Sequence, residues 1–296
     1  MSNAAVGLLL ALLATALSSS PARGDDAEIA TLLKEKGAKV TESKGVVTTV
    51  EVGDCSKWTE EDFRQLARLA HLKSLSFGPG LGDASLPLLS GLSELESLST
   101  NLSLITDEGV KSLAALKSLK ILKFFHPCKA FSGAGLAALS GMPALERLTV
   151  AGSLAFDDEG MAAVGKLTQL KEFRTWHAGQ TLDGVKKLKE LPRLKQLTLG
   201  QRLAYKPPTT LSDETLSVLA EMKTLESLQL EEARLKPEAL RRLKELPDLK
   251  KLILEGIDLP EADVEGLRQE MPKVEIKWTP PNDVYMKRIQ ALFGKP

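Results

Sequence analysis

Leu119-Lys120-Ile121-Leu122-Lys123-Phe124 and Leu194-Lys195-Gln196-Leu197-Thr198-Leu199 share one pattern: apolar, two variable, apolar, one variable, apolar. Alternation over so short a run describes a strand with one buried face. The pattern returns from residue 47 almost to residue 278. Its first apolar position falls at Val47, Leu72, Leu95, Leu119, Leu145, Leu170, Leu194, Leu225, Leu249 and Val274. The steps are 25, 23, 24, 26, 25, 24, 31, 24 and 25 residues. A period in the twenties marks a solenoid, in which each unit covers the next.

A second element recurs between the strands. Thr106-Asp107-Glu108-Gly109-Val110, Asp157-Asp158-Glu159-Gly160-Met161 (after Phe156) and Ser212-Asp213-Glu214-Thr215-Leu216 all open with a capping residue and acids. Such side chains accept from the free amides of a first helical turn and suit its positive end. Asp107, Asp158 and Asp213 are therefore expected as helix starts and not as an acidic active site. Apolar residues follow at three- and four-residue spacing and give one buried helix face. Each unit is then strand, turn, helix and return. The helices are wider than the roughly 4.8 Å strand spacing, so the stack curves. The expected fold is α/β: a right-handed solenoid with parallel strands on the concave side and helices on the convex side.

Leu-x-x-Leu-x-Leu followed by a Thr-Asp-x-Gly-Val type helix resembles the leucine-rich repeat proteins. The helical convex side is similar to the ribonuclease-inhibitor and cysteine-containing subclasses, and the whole resembles secreted bacterial members. The resemblance covers about residues 46 to 278. It departs from the family after the strand, where the usual Asn or Cys is mostly absent, as in Phe124-Phe125-His126-Pro127-Cys128. An Asn or Cys ladder is thus not expected to hold the turns. What the resemblance implies is a binding scaffold, with no particular partner.

The chain has 296 residues, no formal net charge and 4% aromatic residues. The core must be mostly aliphatic, and no basic excess argues for nucleic acid. Residues 1–22 are expected to be an export signal. Val6 to Leu17 is an apolar run shorter than the roughly 20 residues of a membrane span, and Ser20-Pro21-Ala22 offers small residues for cleavage. The chain is then exported, to periplasm, cell envelope or medium, with no stable membrane span once the signal is removed. An uncleaved anchor is the alternative. Residues 23–45 are expected to cap the first unit, 46–278 to form the solenoid, and 279–296 to be a C-terminal tail. In that tail Val284 to Phe293 is expected either as a small helix over the open end or as disordered chain.

The period of two along each strand aims positions three, five and seven at the concave surface. The first repeats offer small polar groups there: Ser74, Ser76, Ser97, Ser99 and Asn101. The middle changes to Ile121, Lys123 and Phe125, then Arg147 and Thr149, then Glu172, Arg174 and Trp176. Large aromatic groups among cations are the residue types that dominate binding hot spots. The alternative is that Trp176 packs locally over the strand edge while Arg174 pairs with Glu172. The long step before Leu225 places extra residues around Tyr205-Lys206-Pro207-Pro208. That loop is expected to join Phe125, His126, Trp176 and His177 in a rim, or to be a tolerated insertion. The candidate partner-binding residues are Lys123, Phe125, Arg147, Arg174, Trp176, His177 and Tyr205.

Chemical motifs are scarce. His126 and His177 follow strands two repeats apart, roughly 10 Å, too far to share a metal. Cys55 and Cys128, roughly 14 Å apart by the same spacing, exceed the reach of a disulfide. No phosphate-cradling glycine loop opens a helix. The expectation is a non-enzymatic scaffold with no cofactor and no metal, whose partner is a protein. A carbohydrate or cell-wall ligand on the aromatic rim is a further candidate; nucleic acid is excluded on charge. The rival readings are a structural assembly role with no concave ligand, and an enzyme-inhibitor or adaptor role.

Overall fold

The structure, a computed structural model, describes residues 23–201 and 210–294. The export signal expected over 1–22 and the rim residue Tyr205 lie outside the described residues. Eleven strands form one sheet in chain order. They are β1 (Lys39–Ser43), β2 (Val46–Val52), β3 (Ser74–Phe77), β4 (Ser97–Asn101), β5 (Ile121–Phe125), β6 (Arg147–Ala151), β7 (Glu172–Trp176), β8 (Gln196–Gly200), β9 (Ser227–Glu231), β10 (Lys251–Glu255) and β11 (Glu275–Thr279). From β2 onward every neighbouring pair is parallel. Equivalent repeat positions face one another, as with Leu98, Leu122 and Leu148.

The burial alternates as the period of two requires. In β5, Leu122 and Phe124 are fully buried while Ile121, Lys123 and Phe125 are half-exposed. Leu116, Leu119, Leu122 and their counterparts make one continuous aliphatic core. Phe124 and Phe131 stack at 4.8 Å within it. The helices sit where capping residues predict them. Asp107–Val110 is capped by Thr106, Asp158–Gly165 by Asp157, and Asp213–Ala220 by Ser212.

The first-turn aspartates do more than suit a helix end. Asp83 accepts from Thr106 N at 2.8 Å and from Thr106 Oγ1 at 2.6 Å, one repeat later. Asp158 accepts in the same way from Thr181 N and Oγ1. Asp107 accepts from Ser132 N, Ser132 Oγ, Gly133 N and Gly135 N, all within 3.0 Å. Each such carboxylate thus holds the cap of the following repeat. This explains the glycine three residues after the capping threonine: a Cβ on Gly109 would lie 2.0 Å from Asp83 Oδ1, and one on Gly184 would lie 2.3 Å from Asp158 Oδ1. An aspartate ladder on the helix side takes the place that asparagine or cysteine has in the family pattern.

Two features were not expected. β1 pairs antiparallel with β2 through Lys44 and Gly45, whose φ values of 55° and 78° make the turn, and with helix Arg23–Glu35 it covers the first unit. The residue after each strand is left-handed in several repeats: Leu102, His126, Gly152, His177, Glu232 and Gly256 all have positive φ. The tail does form a helix, Asp283–Phe293, capped by Asn282. It packs Ile289 and Phe293 inward and reaches the turn after β9. Arg234, paired with Asp258, donates from Nη1 to Gly294 O at 2.6 Å, and Tyr285 comes within reach of Glu232.

Candidate functional site

The seventh position of each repeat forms a row across the sheet. From β4 to β9 it reads Asn101, Phe125, Ala151, Trp176, Gly200 and Glu231. Large and small residues alternate in its middle. The Phe125 and Trp176 rings meet at 6.1 Å between centroids across Ala151, which they bury. Trp176 also lies over Gly200, where an added Cβ would sit 2.3 Å from Trp176 Cβ. Glycine is required there because the tryptophan side chain occupies that volume.

The fifth position supplies the charge. Arg174 stacks its guanidinium over the Trp176 ring at 5.5 Å, a cation–π geometry. Thr149 and Thr198, on either side of it, are buried under their longer neighbours. The local-packing alternative is met in one half only. Trp176 does pack locally, but Arg174 makes no ion pair with Glu172 among the described residues; it faces the ring and the Glu231 side. Lys123 and Arg147 also form no ion pair among the described residues, whereas Lys120, Lys171, Lys195 and Lys250 each hold a carboxylate. Lys195 and Lys250 share Glu226 and hold its carboxyl down to about 2.

Around the row the predicted histidines are each engaged. His126 is exposed, left-handed, and 3.1 Å from Asn101 Oδ1 through Nδ1. His177 Nε2 lies 3.0 and 3.1 Å from the two oxygens of the buried Glu232. That hydrogen bond raises the His177 pKa above its ordinary value, although burial opposes it. Burial, with Glu232 next to it, pushes the Glu231 carboxyl up. Glu232 likewise raises the Tyr285 hydroxyl. His177 is therefore the near end of a polar cluster that runs to the C-terminal helix.

N-terminal to the row, Ser76 and Ser99 with Gly53, Gly78 and Asn101 line an open trough of about 310 Å³. The two cysteines are free, with Cys55 buried and its thiol pushed up to about 11 by burial, and Cys128 half-buried and donating to Ile105 O. Among the described residues, no group of three or more His, Cys, Asp or Glu is placed to hold a metal ion. Among the same residues, no helix is long and apolar enough to cross a membrane.

The in-register parallel strands, their buried Leu-x-Leu positions and the helical returns decide the architecture. The chain is a leucine-rich repeat solenoid. No protein-family model matches it, and no curated protein matches its sequence. Solved structures similar to it include an internalin (inlF) from Listeria monocytogenes, at 17% identity and a TM-score of 0.45, covering 90% of this chain and 79% of that one. An internalin C2 from the same organism matches at 16% and 0.44, over 86% of this chain and 93% of its own. A TLR13 chain in complex with ssRNA13 matches at 16% and 0.43, over 75% of this chain and 35% of its own. These likenesses reach no further than the repeat architecture. The expectation that excludes nucleic acid rests on charge balance alone.

Proposed function

We propose that this solenoid is an exported, non-enzymatic scaffold that binds a protein partner through the centre of its concave face. The observation that carries the reading is the Phe125–Trp176 pair with Arg174 stacked on it, raised over Ala151 and Gly200 and flanked by Lys123 and Arg147. The fold needs no large aromatic ring at these seventh positions, since Asn101, Ala151 and Gly200 fill the same place in other repeats. Rigid rings and arginine bury much area with few rotors, which suits them to anchor a partner. His177 stands at the border of the patch, held by Glu232.

In this reading residues 1–22 direct export, 23–45 cap the first repeat, 46–278 present the surface and 279–296 are a C-terminal tail. The test is affinity capture with residues 23–296 from envelope and secreted fractions, beside a W176A/R174A double variant shown by circular dichroism to be folded. A protein retained by the native chain and lost with the variant supports the reading. Equal recovery with both, or recovery of nucleic acid or cell-wall polysaccharide in place of protein, overturns it.

A further inference from the structure

Among the described residues, four large apolar side chains are more than half exposed: Leu102, Leu104, Leu154 and Val284. Three of these lie on one edge, in the turns after β4 and β6. Those turns are two repeats apart, roughly 10 Å, and the turn carrying His126 lies between them. Scattered exposed leucines need no explanation, but a cluster beside an aromatic patch does.

The fold does not ask for these side chains. Leu102 is held at φ 54°, a backbone region that disfavours residues with a Cβ. Gly152 and Gly256 fill the equivalent place at φ 72° and 61°, so glycine serves the turn. Leu104 fastens its turn through the main chain, donating from N to Leu81 O at 2.7 Å, while its side chain is 61% exposed.

Charge along the same edge is divided. The stretches 101–105, 125–131 and 151–155 contain no aspartate or glutamate and carry His126 and Lys129. Lys123, Arg147 and Arg174 stand beside them on the concave face. After β9 the turns carry Glu231, Glu232, Glu255 and Asp258, the last of them paired with Arg234. The apolar edge therefore borders the half of the surface that carries Lys123, Arg147 and Arg174, with Glu172 as the acid in register beside Arg147.

We infer that Leu102, Leu104 and Leu154 form the second half of one interface with the Phe125–Trp176 patch. That interface takes an acidic protein segment, one in which carboxylates flank large apolar side chains. The inference rests on the concave-face reading above and adds to it the edge and the chemistry of the partner.

The test is selection of a phage-displayed library of random peptides on the native chain. Synthetic copies of the selected peptides are then titrated against three variants: W176A/R174A, L102N/L104S/L154S and K123E/R147E. Because the three leucines are exposed, the edge variant should keep the native circular dichroism spectrum and denaturation midpoint. The expected result is enrichment of peptides carrying Asp or Glu with aliphatic or aromatic residues. Their binding should weaken about ten-fold or more in all three variants and fall with added salt. Binding lost in W176A/R174A but intact in the edge variant overturns this inference and leaves the concave patch standing. Selection of basic or uncharged peptides overturns the assigned chemistry. Peptides indifferent to all three variants, or no enrichment at all, overturn both readings.

Discussion

Replacing Asp107 by alanine tests how the repeats are joined. Its carboxylate accepts four hydrogen bonds from the next repeat, three of them from backbone amides of residues 132, 133 and 135. With roughly 1 kcal/mol for each half-buried bond, the loss is about 4 kcal/mol. D107N keeps one acceptor oxygen and should lose about half as much. D183A is the control, because Asp183 is exposed and its carboxylate, among the described residues, pairs with Lys186 of its own helix and reaches no neighbouring repeat, so it should leave stability nearly unchanged. Urea unfolding followed by circular dichroism measures all three, with the slope checked for constancy so that the midpoints compare. A D107A variant within about 1 kcal/mol of the native chain, or one no worse than D183A, would refute the ladder as the link between repeats.

Further outcomes follow from the same geometry. G200A should destabilise by about 1–3 kcal/mol, because its methyl meets Trp176 Cβ at 2.3 Å, and should alter tryptophan fluorescence; an unchanged midpoint and spectrum would contradict the packing. His177 has a folded pKa raised above 6.5 by Glu232, so its pairing stabilises fully below pH 6.5 and is lost as pH rises through the folded value. H177Q should therefore cost more stability at pH 5.5 than at pH 9, as denaturation midpoints at the two pH values would show. Glu231 is raised by burial, so its ionised form is the disfavoured one. E231Q should gain stability above the raised pKa and gain none in acid, where the native residue is already protonated. Maleimide labelling read by mass spectrometry should modify Cys128 first and Cys55 only on unfolding, given Cys55 at 2% exposure and its raised thiol.

The strands and helix starts were legible because their signals are local. Leu119, Leu122 and Phe124 carry the strand in their own spacing, and Thr106 or Ser212 carries the cap. Features that depend on a neighbour one repeat away were not legible. Asp107 already had a sufficient local explanation as a first-turn acid, and its partners lie 25 to 28 residues on. β1 lacks an apolar alternation, since only Val40 of Lys39–Ser43 is even half-buried, so nothing marked it as a strand before the Lys44-Gly45 turn.

The candidate surface was legible in outline for the same reason. The period of two named Lys123, Phe125, Arg174 and Trp176 as outward-facing. It could not say that Thr149, Ala151 and Gly200 vanish beneath larger neighbours, because that depends on cross-strand register. Leu102, His126 and His177 occupy left-handed positions where glycine or asparagine would have announced a turn, so the exposed leucines of that edge went unmarked. The pairing of His177 with Glu232 spans 55 residues and has no signature in either segment.

The most direct test of the central claim places a photo-crosslinking amino acid at Lys123, on the concave floor, and in a second protein at Lys186, on the helical side. Both are expressed in the native host and irradiated. The account predicts a discrete crosslinked protein adduct from position 123, lost when W176A/R174A is added, and none from position 186. An adduct from position 186 alone, or one from position 123 that survives W176A/R174A, would contradict it.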